Sequence, residues 1–278
     1  MSSIPIQTLS NWSRLSPARV KTLEDLRSFG ALRPELFEEV MHEQSTAPYQ
    51  IKMIQSGEGK FWKKDPWYYT INEYNFRDLW DFEDKRKRIG FFGCSFTAGE
   101  GIESSNLHVN IVATHFDLNV FNFGSGGASI ERVARTFSAV NSLIDLDYAV
   151  VTLPAWHRQL HIGELGDMIN LIPAYPHLGF EKLCKTMTSL EEDYYATRAA
   201  SNINWIYDVA KHKGVKILFS SWDHTTNAFC KQIVQENTIN PFPNIDDKQA
   251  RDRMHPGVKS QQAHADQIIK GIDDRAWI

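Results

Sequence analysis

From Arg88 to its end the chain alternates short apolar runs with longer stretches in which apolar residues recur every three or four positions. The short runs are Arg88 to Gly93, Asn119 to Phe123, Tyr148 to Leu153 and Val215 to Ser221. Runs of this length, bounded by turn residues, read as buried strands. The stretches between them read as helices. Asn106 to Phe116 sets Leu107, Ile111, Val112 and His115 on one face, so that His108 and His115 are surface or packed histidines and not catalytic ones. Ala128 to Ile144 does the same with Ile130, Val133, Ala134, Phe137, Val140 and Ile144. Leu190 to Lys213 turns Tyr195, Ala199, Ile203, Ile206 and Val209 inward and stops at Gly214, and Gly257 to Ile272 forms a last amphipathic helix. Strand, turn and helix in repetition imply βαβ units with right-handed crossovers and a parallel central sheet.

The chain before residue 87 has another texture, with aromatic and charged residues interleaved, as in Phe61-Trp62-Lys63-Lys64-Asp65-Pro66-Trp67-Tyr68-Tyr69-Thr70. Thr22 and Asp25 make a capping-box-like pair beside Leu23 and Leu26, Arg33 to Met41 reads as a helix, and Trp67 to Tyr74 as extended chain. Residues 1–86 are expected to be an N-terminal mixed extension packed on a domain of residues 87–278, with Trp62, Trp67 and Trp80 burying surface in preference to stacking on sugar. Periodicity is weak from residue 154 to about 190, and a loop of that length reads as a cap over a site. Its His157, His161 and His177 fit no common ligand spacing, so no metal is expected.

Charge and cysteine usage narrow the setting. A formal net charge of −4 over 278 residues gives no bulk attraction to nucleic acid, and Lys85-Arg86-Lys87-Arg88 reads as a solvated connector before the first core strand. Cys94, Cys184 and Cys230 are too far apart for a disulfide framework or a zinc knuckle, which fits a reducing interior. Met1 to Gln7 lacks a basic segment followed by an apolar one, and no apolar run approaches the ~18 residues of a spanning helix. The expectation is a soluble chain acting in the cytoplasm, or delivered by a route other than a signal peptide, with no membrane or nucleic-acid partner.

Chemistry concentrates at two points. In Arg88-Ile89-Gly90-Phe91-Phe92-Gly93-Cys94-Ser95-Phe96-Thr97-Ala98-Gly99-Glu100-Gly101 a strand ends at Gly93, and small residues let the chain turn and present Ser95 at the strand's C-terminal end. A serine hydroxyl needs a base, and the base an orienting carboxylate. Asp252-Arg253-Met254-His255-Pro256 offers both three residues apart, making Ser95 the candidate nucleophile, His255 the base and Asp252 its orienter.

In these two motifs the sequence resembles the SGNH (GDSL-like) hydrolases. Gly93-Cys94-Ser95-Phe96-Thr97 departs from the family's first block only in Cys94, where aspartate is common, and Asp252 to Pro256 matches its last block. Asn122-Phe123-Gly124-Ser125-Gly126-Gly127 is similar to the second block. There the resemblance implies that the backbone N–H of Gly127, with Gly126 the next position, joins that of Ser95 as oxyanion donor. Asn72-Glu73-Tyr74-Asn75-Phe76-Arg77 is similar to the family's Asn-x-x-Gly-x-Arg stretch, with Asn75 in place of glycine. The third block, Gly-x-Asn, is missing. Its place after Leu153 is taken by Pro154-Ala155-Trp156-His157-Arg158, which leaves His157, Arg158 or a donor elsewhere to supply the lost hydrogen bond. Losing one such donor typically costs on the order of 100-fold to 1000-fold in turnover.

The resemblance implies a three-layer flavodoxin-like α/β fold and a cofactor-free serine esterase that removes a short acyl group, such as acetyl, from a carbohydrate. Two alternatives remain at this point: a binding or structural protein on the same scaffold, and a sugar O-acyltransferase in which a hydroxyl resolves the acyl-serine. Nucleotide binding is disfavoured, since the glycine turns carry neither a P-loop lysine nor a complete dinucleotide fingerprint. Asp223 and His224 are adjacent on extended chain, point apart, and make a poorer pair than Asp252 and His255.

Overall fold

A computed structural model of the chain describes residues 20–29, 49–53, 67–162, 168–171, 192–246, 250 and 255–278. The helix expected over 33–41, Trp62, Cys184 and Asp252 lie outside the described residues. Near the N-terminus, Thr22 and Asp25 close the expected capping box on a 3-10 helix, Leu23–Ser28. Strands β1 (Tyr49–Met53) and β2 (Trp67–Ile71) pair antiparallel.

The core begins with β3 (Arg88–Gly93), the four-residue α1 (Ser95–Ala98) and α2 (His108–His115). It continues through β4 (Asn119–Gly124), α3 (Ile130–Asn141) and β5 (Tyr148–Leu153). A small antiparallel pair, β6 (Gln159–Ile162) and β7 (Met168–Leu171), follows where the sequence reads as unstructured cap. Then come α4 (Glu192–Lys213), β8 (Lys216–Ser221), α5 (His224–Ile233) and α6 (Val258–Asp273). Among the described residues no helix is long and apolar enough to cross a membrane.

Strands β4, β3, β5 and β8, in that order, form a wholly parallel sheet. Counted along the chain the order is second, first, third, fourth, the flavodoxin-like arrangement. Thr238 bridges Phe219, and Ile239 and Phe242 donate to the carbonyls of Phe219 (2.8 Å) and Ser221 (2.9 Å), a short fifth edge beyond β8.

The strands are buried on both faces, which is why they read as continuous apolar runs. Ile89, Phe91, Tyr148, Val150 and Leu218 point to the layer of α2 and α6. Phe92, Phe121, Phe123, Ala149, Val151, Ile217 and Phe219 point to that of α3 and α4. The fold is thus three-layer α/β. Ser129 caps α3 by accepting from Arg132 N, and every apolar position expected inward on α3 is buried. On α4, Ala210 replaces Val209 in the buried row. Trp80 is half-buried and packs among Tyr74, Phe76, Phe82, Phe121 and Phe123.

Helix α2 departs from its expected face. His115 is exposed, whereas His108 is fully buried with Val109, Val112 and Ala113. The reason is a partner 153 residues away: His108 Nδ1 donates to Gln261 Oε1 at 2.6 Å, and the His108 backbone N–H bonds the same oxygen at 3.2 Å. Beside it, buried on α6, His264 packs against His108 at 4.9 Å between ring centroids, with Nε2 3.4 Å from the hydroxyls of Thr152 and Ser220. Burial pushes His108 down to about 4, against the pull of Gln261, and holds His264 well below the usual histidine range, where the neighbouring His108 adds to the effect.

Both histidines must be neutral for the α2–α6 layer to pack, while in the unfolded chain they protonate near the ordinary value. Their contribution is full above about pH 6.5 and is lost progressively as pH falls from there, towards about 4 for His108. Urea midpoints measured from pH 7 down to pH 4.5 should fall continuously below about pH 6.5. A flat profile above pH 5 would show that the two rings do not control docking of α6.

Candidate active site

The site is built at the C-terminal end of β3, at the point where the winding reverses between β3 and β5 and where ligands collect in such sheets. Cys94, the N-cap of α1, turns its side chain into the core, so the departure from aspartate is absorbed as packing. Ser95 is the first helical residue and only 5 % exposed. Its carbonyl accepts from Gly99 N (2.8 Å) and Glu100 N (3.1 Å), while its own N–H, like the orphan donors of any first helical turn, has no acceptor among the described residues.

A turn this short needs outside support. The Asn72 carboxamide oxygen accepts from Tyr74 N (3.0 Å) and Phe76 N (3.1 Å), and its Nδ2 donates to Asp78 O (3.0 Å). Asn75 sits at φ 62°, the left-handed region where the related stretch carries glycine and which asparagine tolerates best among the others. This loop delivers Arg77, 1 % exposed, whose Nη1 donates to Ala98 O (2.9 Å) and Gly99 O and whose Nη2 donates to Ile102 O (2.5 Å). From the other side Asn122 Nδ2 donates to Thr97 O at 3.0 Å. Gly124 allows β4 to press on α1, since a Cβ there would lie 2.1 Å from Ala98 N.

His255 returns to this turn from 160 residues away, with Nε2 2.8 Å from Ser95 Oγ. Its ring meets the edge of Phe96 at 5.5 Å. Ala250 N donates to His255 O (3.0 Å), Gly257 N to Asp246 O (3.0 Å), and the Asp246 carboxylate caps α6 by accepting from Lys259 N (2.9 Å) and from Ser260 N (3.0 Å) and Oγ (2.5 Å). Burial opposes ionisation of Asp246, but the bonds from Ser260, Lys259 and Gly257 outweigh it and hold the carboxyl below its ordinary value. The third expected member, Asp252, lies outside the described residues.

The Gly127 turn stands next to Ser95. Ser125 N donates to Gly93 O (3.0 Å), and Ala128 N closes the turn on Ser125 O (3.1 Å), with Gly127 at φ 69° in the position that a type II turn reserves for glycine. The Gly127 N–H has no acceptor among the described residues. Sequence reasoning missed Glu100. Its Oε2 lies 3.9 Å from His255 Nε2, and its Oε1 lies 2.3 Å from where a Cβ on Gly126 would be, so a carboxylate adjoins both the imidazole and the glycine turn. The available signal was an ionisable residue between Gly99 and Gly101, both at positive φ.

Asp223 and His224, read as neighbours on extended chain after the fourth strand, instead open α5: Asp223 is its N-cap, accepting from Thr226 N (2.8 Å) and Oγ1 (2.6 Å), and His224 is its exposed first residue. His157 is held below the usual histidine range by burial first and then by Arg158, against Asp223. Arg158 lies over the Trp222 ring at 5.1 Å, and Trp222 in turn stacks on Phe96 at 5.2 Å and 8°.

No protein-family model matches the sequence, and no curated protein does. Among solved structures, the chain is similar to an acetyl xylan esterase from the rumen bacterium Butyrivibrio proteoclasticus at 12 % identity and TM-score 0.47, over 78 % of this chain and 68 % of that one. It is similar to a family two carbohydrate esterase from Clostridium thermocellum in complex with cellohexaose, at 14 % identity and TM-score 0.47, over 73 % of this chain and 69 % of that one. A psychrotrophic esterase from Pseudoalteromonas sp. gives 12 % identity and TM-score 0.47, over 68 % and 98 %.

The Arg77 clamp generates a stability prediction. Arg77→Met leaves the carbonyls of Ala98, Gly99 and Ile102 buried without their donor and should destabilise the chain by about 3 kcal/mol or more in urea unfolding. A loss below about 1 kcal/mol, the size of an ordinary substitution, would mean that the turn holds itself.

Proposed function

We propose that the chain is a serine ester hydrolase of the SGNH kind that removes a short acyl group from a carbohydrate. The observation that carries the reading is the 2.8 Å contact between Ser95 Oγ and His255 Nε2, reached from opposite ends of the domain. A nucleophile and base within hydrogen-bond reach, at the ligand-binding end of a parallel sheet, is the minimum that acyl transfer requires. Two unengaged backbone donors, Ser95 N–H and Gly127 N–H, support an oxyanion site beside it. The half-exposed rings of Phe96 and Trp222 next to His255 favour a sugar face as the group to be bound.

In this mechanism His255 Nε2 takes the proton of Ser95 as its oxygen attacks the ester carbonyl. The tetrahedral oxyanion is met by the N–H groups of Ser95 and Gly127, and the alcohol leaves with the proton from His255. Water then attacks the acyl-serine with His255 again as base. Asp252, three residues before His255, is assigned to hold the imidazole tautomer, and Glu100, 3.9 Å from Nε2, favours the imidazolium that forms. No step calls for a cofactor.

Intact-mass labelling with a fluorophosphonate tests this. One adduct should form on the wild type and none on Ser95→Ala or His255→Ala, with acetylated sugars turned over only by the wild type. A folded wild type that takes no label would move the assignment to a binding protein on this scaffold.

A further inference from the structure

We propose that Arg158 and Trp222 form a subsite for a carboxylate carried by the ester substrate, an inference that rests on the esterase reading above. Arg158 Nε and Nη1 and Trp222 Nε1 are all buried, and none has a hydrogen-bond partner among the described residues. The three are neighbours, since the Arg158 guanidinium lies over the Trp222 ring at 5.1 Å. Buried N–H groups are almost always satisfied, and a cationic donor left without an acceptor is among the more costly exceptions, so this cluster needs an explanation.

Its position supplies one. Arg158 follows β5 and Trp222 follows β8, both at the carboxyl ends of the sheet where Ser95 stands, and Trp222 stacks on Phe96, whose ring touches His255. The neighbouring Asp223 is bound through its Oδ2 to Thr226 as the cap of α5, and Glu100 lies across the site against Gly126. A group of donors with no acceptor, one of them permanently charged, is completed by an oxyanion, and a planar guanidinium suits a carboxylate. The matching substrate is an acylated acidic sugar or an ester of a dicarboxylic acid.

Matched esters separate the two sources of the carboxylate. On the acyl side, 4-nitrophenyl hemisuccinate is compared with its succinamate. On the alcohol side, 4-carboxyphenyl acetate is compared with 4-carbamoylphenyl acetate. In one pair the wild type should favour the carboxylate in kcat/KM by about tenfold or more. Arg158→Gln should bring that ratio to near unity, Arg158→Lys should restore part of it, and Trp222→Phe, which removes the N–H while keeping a smaller aromatic ring, should lower it. Lys231→Gln, an exposed cation on α5, should leave it unchanged. No preference in either pair, or a preference that survives Arg158→Gln, overturns the subsite. Should Ser95 take no fluorophosphonate and neither pair be hydrolysed, the esterase reading fails separately. Calorimetric titration with glucuronate and glucose then decides the subsite: glucuronate binding that Arg158→Gln abolishes supports it, and equal behaviour of the two sugars overturns it.

Discussion

The guanidinium of Arg77 is the constraint on which the candidate site depends. The turn after β3 bends within a four-residue helix and leaves the carbonyls of Ala98, Gly99 and Ile102 facing the interior, where water cannot reach them. A single planar fork, placed by the self-bonded loop around Asn72, supplies all three with donors. A lysine carries one charge point and lacks the fixed geometry to do the same. The segment before β3 is therefore part of the site's foundation, because the turn that carries Ser95 is held from beneath by a residue 18 positions earlier as well as by its own hydrogen bonds.

The second half of the geometry is set by helix packing. His255 reaches Ser95 because α6 is fixed at its start by the Asp246 cap and along its length by Gln261, whose side-chain oxygen holds both the ring and the backbone of His108 on α2. Polar groups so deep in a layer discriminate between registers: a one-turn slip of α6 would strand the His108 and Gln261 groups together. The 2.8 Å contact is thus a readout of the α2–α6 layer as much as of the loop that carries His255.

The strands and most helix spans were legible because each strand is buried on both faces, and Ser95 and His255 were legible because they sit in compact sequence blocks. Asn75 was readable as a replaced glycine, and its φ of 62° gives the physical reason. What escaped has a common cause, dependence on partners remote in sequence. The face of α2 was misjudged because His108 is satisfied by Gln261, which no local period reveals. The β6–β7 pair is only four residues a side, too short to show alternation. Glu100 owes its meaning to Gly126 and His255, and its place along the chain says nothing of that, while Arg158, legible as a candidate donor, gave no sign of its packing on Trp222.

Taken together, the charges beside Ser95 and His255 have a direction. Glu100 lies on the β4 side against the glycine turn, and Arg158 on the side of β5 and β8. A carboxylate near an oxyanion turn works against negative charge there at long range, so stabilisation of a tetrahedral intermediate would have to come from the short-range N–H groups of Ser95 and Gly127, which act at contact distance. The same carboxylate favours positive charge on His255, the state that exists only while the proton is held. On the proposed esterase reading such a field would rank substrates before chemistry begins: an ester with an anionic group could lie with that group towards Arg158, and the opposite placement would set it against Glu100. A neutral ester has no such preference, and for it the two charges give no orientation to set against the cost of ordering the substrate.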